Sequence, residues 1–169
     1  KLLTALIVAE AGDLDKKVKI TSYDTRCEPT KLYIQPGQSY TRLQLLNALL
    51  VKSGNDVARA LARDNAGSVE EFAAKMNARM RELGGTSSNF VTPNGLPAKG
   101  QHSTARDMAR VARVAYMNPV LREIMDNRYY SFRFTTGKVV PLRNTNRVLR
   151  TYSFCNGMKT GYTRSAGHC

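Results

Sequence analysis

With 169 residues, 42% hydrophobic and 23% charged, the chain can build one domain with its own core and is too apolar for wholesale disorder. Its formal charge of +13 implies an anionic environment or partner, yet Lys and Arg form no basic tail and there is no Trp, so nucleic-acid binding is not expected. No apolar run approaches the roughly 18 residues of a spanning helix, and three Cys with no zinc spacing beside two His make a metal site improbable.

Residues 1–11 read as a helix with Leu2, Leu3, Leu6 and Ile7 on one apolar face and Gly12 as its stop. Nothing caps this helix ahead of Lys1, so it reads as a helix cut through; no initiator Met or signal peptide is visible. Over 18–40 the texture is strand-like, with Leu32-Tyr33-Ile34 and a Pro36-Gly37 turn. Thr41-Arg42-Leu43-Gln44 is a capping box, followed by Leu45, Leu46, Leu49 and Leu50 at helical spacing. Gly54 interrupts, and a second helix is expected over 56–66, closed by Gly67. Ser68-Val69-Glu70-Glu71 opens a third, with Phe72, Met76, Met80 and Leu83 as its buried stripe.

Residues 87–101 read as loop, with Pro93-Asn94-Gly95 as a turn. Thr104 starts a further helix with Met108, Val111, Ala112 and Ala115 inward, ended by Asn118-Pro119, and a short helix is expected over 120–125. Strand texture returns over 129–135 and 139–142 and leads into Met158-Lys159-Thr160-Gly161-Tyr162-Thr163. Strands at both ends around a helical middle suggest a single α/β domain over 1–169 with an inserted helical lobe at about 41–117.

Three stretches carry candidate chemistry: Lys1, Ser53-Gly54-Asn55-Asp56 and Lys159-Thr160-Gly161. Singly they are weak, because Ser and Asn favour caps between helices and lone lysines are usually solvated. Their order and spacing raise the specificity, since Ser-x-x-Lys, a Ser/Asn pair and Lys-Thr-Gly form one known catalytic set. A serine three residues before Lys1 would lie one helical turn away, where a neutral lysine amine could take its proton. Ser53 can relay a proton and Asn55 can hold a substrate amide. Lys159 and Thr160 suit a terminal carboxylate, and Gly161 lets a peptide backbone lie along a strand edge.

Pro36-Gly37, Asn94-Gly95-Leu96, His102-Ser103-Thr104-Ala105-Arg106-Asp107-Met108-Ala109, Asn144-Thr145-Asn146 and Ala166-Gly167 accompany these motifs. Together they resemble the D-alanyl-D-alanine carboxypeptidases, low-molecular-mass penicillin-binding serine peptidases, along essentially the whole chain. The resemblance implies a β-lactamase/transpeptidase-like fold: an antiparallel sheet flanked by helices, with an all-helical lobe. It implies acyl transfer from peptidoglycan stem peptides ending in D-Ala-D-Ala, binding of β-lactams, and no cofactor. It casts Lys1 as general base, Ser53 as relay, Asn55 as substrate contact, Lys159, Thr160 and Gly161 as the carboxylate and backbone site, and the Tyr162 N–H as part of the oxyanion hole. Export to the periplasm or outer membrane face follows by the same resemblance, with any membrane association through segments outside this chain.

The chain departs from that pattern at its start. The serine expected three residues before Lys1 is not in it, nor are sheet strands expected before that helix and after Cys169, so the sheet is expected to be incomplete. The 169 residues as given are therefore expected not to form an acyl-enzyme. Two alternatives stand beside this reading: a non-catalytic peptidoglycan- or penicillin-binding module, and a β-lactamase-like hydrolase. A β-lactamase should carry a deacylating Glu in a loop, but Glu82 and Glu123 fall on expected helices. Ser87, Ser88 and Ser103 have no lysine three residues on, and His102 and His168 lack a nucleophile-elbow motif. Cys27, Cys155 and Cys169 read as ordinary thiols, two of which could pair in an oxidising compartment.

Overall fold

Helix α1 (Leu2–Glu10) runs through the centre of the molecule, and every residue from Leu2 to Val8 is buried. A single apolar face was the expectation; a helix apolar on all sides instead becomes a central strut, covered on all sides. The computed structural model describes residues 1–164 and 166–168. After Gly12, whose φ of +68° ends α1, come β1 (Lys17–Lys19), the short helix α2 (Ser22–Thr25) and β2 (Ser39–Thr41). β1 and β2 pair antiparallel with Val18 opposite Tyr40.

Two local expectations fail in this region. Helix α2 forms inside the stretch read as strand, because the Thr21 N–H and hydroxyl both donate to Asp24, at 2.8 and 2.9 Å. Leu32-Tyr33-Ile34 is not a strand. Its Leu32 and Tyr33 N–H groups are taken by the Asp56 carboxylate, so no neighbouring strand is needed to satisfy them.

The Thr41–Gln44 box closes in both directions and starts α3 (Arg42–Asn47). The helix then widens into a π-helical turn, Ala48–Lys52, which the periodicity did not reveal. Helix α4 (Asn55–Ala66) follows after a two-residue break, and α5 (Val69–Glu82) starts at Ser68, which accepts from the Glu71 N–H. Helix α6 (Ala105–Met117) leads directly into α7 (Pro119–Asp126), which Asn118 caps by accepting from the Leu121 N–H. Helix α1 packs against α4, α5, α6, α7 and the π-turn. Leu3, Leu6, Leu45, Leu46, Leu49, Leu61, Phe72, Met76, Val111 and Leu121 belong to one continuous core.

Strands β3 (Tyr129–Arg133) and β4 (Val139–Arg143) form a hairpin whose Phe132 stacks on Tyr40 of β2 at 5.0 Å. Both strands rest against the π-turn. The short helix α8 (Val148–Thr151) follows, and β5 (Tyr162–Thr163) pairs antiparallel with β6 (Gly167–His168). The described residues thus hold three separate antiparallel strand pairs around a helical middle, the α/β architecture expected. Buried ion pairs lock the periphery: Arg42 to Asp64 at 2.7 Å, and Arg63 to Asp24 at 2.9 Å.

Candidate active site

Three elements converge on one edge of the helical core: the start of α1, the break between the π-turn and α4, and the segment ahead of β5. Lys1 stands at the N-terminal end of α1, and its Nζ donates to the Asn94 carbonyl at 2.8 Å. One turn further, the fully buried Thr4 hydroxyl donates to the Pro93 carbonyl at 2.6 Å. The Pro93-Asn94 turn is therefore sewn to α1 at two successive points. Burial, reinforced by the nearby charge of Lys159, lowers the Lys1 side-chain pKa from 10.5 to about 8, while Cys27 acts in the opposite sense. A lysine in that range holds a usable neutral fraction near neutral pH.

Each residue of Ser53-Gly54-Asn55-Asp56 is constrained for a different reason. Ser53 ends the π-turn in the left-handed region, at φ 70° and ψ 32°, which a residue with a Cβ rarely adopts. Gly54 has ordinary negative φ, but a Cβ there would stand 2.9 Å from Asp56 Oδ1 and 3.0 Å from Val57 Cγ2. Close approach, not backbone freedom, demands a glycine. Asn55 is 1% exposed; its N–H donates to the Thr30 carbonyl at 2.7 Å and its Nδ2 to the Glu28 carbonyl at 2.8 Å. Its Oδ1 is buried without a hydrogen-bond partner. The side-chain N–H expected to meet a substrate is thus engaged with the 28–30 loop, and the oxygen is the group left over.

Asp56 was read only as a helix start, and it proves to be the keystone of this wall. Fully buried, its carboxylate accepts from the N–H groups of Leu32, Tyr33 and Val57 at 2.8–3.1 Å. It holds the 28–33 loop, and with it the carbonyls that grip Asn55. The only sequence signal was an acidic residue in the first turn of a helix, where the macrodipole favours it.

The third wall is built on a turn. Asn144 and Asn146 are both buried; Asn144 Nδ2 donates to the Asn127 carbonyl at 2.8 Å and Asn146 Nδ2 to the Gly157 carbonyl at 2.7 Å. Between them the Thr145 N–H donates to the Val51 carbonyl of the π-turn at 3.1 Å, and its side chain meets Lys159 and Thr160. Lys159 Nζ also donates to the Thr160 carbonyl at 2.7 Å. Gly161 and Tyr162 lie exposed at the entry to β5.

The other candidates resolve as structure. Ser88 donates to Asp107 at 2.7 Å and lies 2.8 Å from the Ser103 hydroxyl, while the Ser87 N–H also donates to Asp107. The Ser88 hydrogen bond leads in holding the Asp107 carboxyl below its ordinary range. These groups staple the loop to α6. The His102 ring contacts the Gly100 carbonyl, and Glu82 and Glu123 sit on α5 and α7. Cys27 and Cys155 are free thiols; Cys169 and the side chain of His168 lie outside the described residues.

Comparison with known proteins agrees with this arrangement. The sequence model described as D-alanyl-D-alanine carboxypeptidase matches residues 1–169. The D-alanyl-D-alanine carboxypeptidase DacF of Bacillus subtilis is 33% identical over 174 residues, covering 100% of this chain and 45% of the relative. DacB2 of Mycobacterium tuberculosis is 38% identical over 98% of this chain and 57% of its own length. A crystal structure of D-alanyl-D-alanine carboxypeptidase from Mycobacterium tuberculosis superposes with a TM-score of 0.92 at 37% identity, covering 99% of this chain and 63% of that one. A Streptomyces DD-transpeptidase gives 0.89 at 29% identity, over 99% and 70%. The chain spans about half the length of the curated relatives it matches. It belongs to the D-alanyl-D-alanine carboxypeptidase family.

Proposed function

We propose that the protein carrying this chain is a serine-type D-Ala-D-Ala carboxypeptidase that removes the terminal D-alanine of peptidoglycan stem peptides and is acylated by β-lactams. The observation that carries the reading is the Lys1 amine, lowered to about 8 by burial and by Lys159, at the meeting point of three motif-bearing segments. The nucleophile is a serine three residues ahead of Lys1. The neutral Lys1 amine takes its proton as the serine oxygen attacks the scissile carbonyl. Ser53 then passes a proton to the departing D-alanine amine. Backbone N–H groups of the nucleophile and of Tyr162 receive the oxyanion. Lys159 and Thr160 hold the terminal carboxylate, and Gly161 lets the stem peptide lie along the edge of β5. Asn55 faces the substrate amide, with Oδ1 as the acceptor it has to offer. Water then attacks the acyl carbonyl to release the shortened peptide.

The helical segments from about 41 to 117 form the lobe that supplies Ser53 and Asn55. Work outside the cytoplasmic membrane suits the basic charge, since cell-wall polymers are anionic. No helix among the described residues is long and apolar enough to cross a membrane. The test compares two polypeptides that carry Ser or Ala at the third position ahead of Lys1. The Ser form is expected to release D-alanine from a D-Ala-D-Ala peptide and to bind fluorescent penicillin covalently, and the Ala form to do neither. A folded Ser form with no D-alanine release and no label refutes the assignment.

A further inference from the structure

Thr145 takes no part in the chemistry above, yet the fold fixes it with unusual care. Its neighbours Asn144 and Asn146 are each 5% exposed, and four hydrogen bonds from their side chains hold the turn. The Asn144 N–H adds a bond to the Arg128 carbonyl at 2.9 Å, and the Thr145 N–H adds one to Val51 at 3.1 Å. The whole bracket presents one exposed side chain, the Thr145 hydroxyl, to Lys159 and Thr160. Thr160 Oγ1 donates to Thr145 Oγ1 at 3.0 Å, and Lys159 Nζ donates to the same oxygen at 3.4 Å.

A hydroxyl has two acceptor positions and one proton. With both acceptor positions turned to Lys159 and Thr160, the Thr145 proton is directed away from them, toward the open side. When a carboxylate arrives, Thr160 must turn its own proton to that anion, and it then needs a donor behind it. Thr145 can reverse its bond and donate to Thr160 Oγ1 without moving a heavy atom. Thr145 thus aims the ammonium when the site is empty and supports the Thr160 hydroxyl when it is filled.

We propose that Thr145 is a positioning residue for the carboxylate end of the cleft, acting through Lys159 and Thr160, and that it sets selectivity for peptides ending in a free carboxylate. This rests on the assignment of Lys159 and Thr160 as the carboxylate site. The experiment uses the Ser form defined above. KM and kcat are measured for a D-Ala-D-Ala peptide and for its C-terminal amide in Thr145→Val, Thr145→Ser, Lys159→Ala and the parent.

Thr145→Val keeps the shape and loses the hydroxyl, and because the side chain is exposed its melting temperature should match the parent. It is expected to raise KM for the free carboxylate about fivefold to tenfold, the scale of one lost hydrogen bond. Little change is expected in kcat or with the amide, and Thr145→Ser should restore KM to within about twofold. An equal loss on both substrates, no loss at all, or failure of Ser to rescue would overturn the positioning role. Lys159→Ala separates the two layers. If it weakens carboxylate and amide peptides alike, the carboxylate site itself is misassigned and both ideas fall; if it is carboxylate-selective and Thr145→Val is not, only the role of Thr145 falls.

Discussion

Replacing Asp56 by Ala removes one carboxylate and strands three backbone donors. Leu32 N–H shares both oxygens at 3.0 and 3.1 Å, Tyr33 N–H sits at 2.8 Å from Oδ2, and Val57 N–H at 2.9 Å from Oδ1. Leu32 and Val57 are buried, so each lost bond leaves an unsatisfied donor at about 1–3 kcal/mol, while water can reach the partly buried donor of Tyr33. The sum is about 4 kcal/mol. Against it, Tyr33 is held at φ 64°, a left-handed conformation, and its release returns about 1 kcal/mol. The net loss is about 3 kcal/mol, a fall in melting temperature of roughly 6–12 °C for a chain of this size. Asp56→Asn keeps one acceptor and should lose about half as much. Thermal unfolding followed by circular dichroism measures both, and penicillin labelling of the Ser form should fall with Asp56→Ala because the 28–30 carbonyls no longer grip Asn55. A Tm within about 2 °C of the parent for Asp56→Ala would refute the view of this carboxylate as the keystone.

Ser53→Gly should raise the melting temperature by about 2–4 °C, since glycine adopts φ 70° without the roughly 1 kcal/mol of strain, while D-alanine release is lost with the relay hydroxyl. Ser53→Ala should lose the same activity with no gain in stability, and equal melting temperatures for the two variants would contradict the strain assignment. Lys159→Gln removes a charge that lowers the Lys1 pKa, so the value should rise from about 8 and the acid limb of the acylation–pH profile should move to higher pH. A carbon-13 titration of the Lys1 side chain reads the shift directly, and an unmoved or lower value counts against electrostatic contact between the two lysines. The same depression makes stability rise with pH between about 8 and 10.5, because unfolded Lys1 still holds its proton where folded Lys1 has released it.

The parts of this molecule that could be read in advance are those written locally. Thr41 with Gln44 and Ser68 with Glu71 mark helix starts, Gly12 and Gly67 mark stops, and the Phe72, Met76, Met80 stripe lies in the core as its spacing implies. The parts that escaped are written across long separations. Leu32-Tyr33-Ile34 has strand composition, but a carboxylate 24 positions away takes its donors. Asn55 carries the expected amide, yet a carbonyl 27 positions back claims its N–H. Lys1, Ser53 and Lys159 were legible as a set because their chemistry is specific. Asp56 and Thr145 were not, because an acid in a first helical turn and a Thr in a turn look ordinary until their partners are known.

The π-turn at Ala48–Lys52 has a consequence for how this chain tolerates changes in length. Such a turn amounts to one additional residue threaded into an otherwise regular helix, and these turns recur at functional sites. Deleting a single residue there would let α3 continue as ordinary helix, with a local gain in regularity. It would also rotate everything beyond by about 100° and draw it back by about 1.5 Å. Ser53 would leave the side where Lys1 stands, and Val51 would no longer meet the Thr145 N–H. The wider coil is a phase shifter: it trades regular winding for the angle at which one hydroxyl enters the cleft, and a substitution-tolerant stretch becomes one that cannot change its residue count.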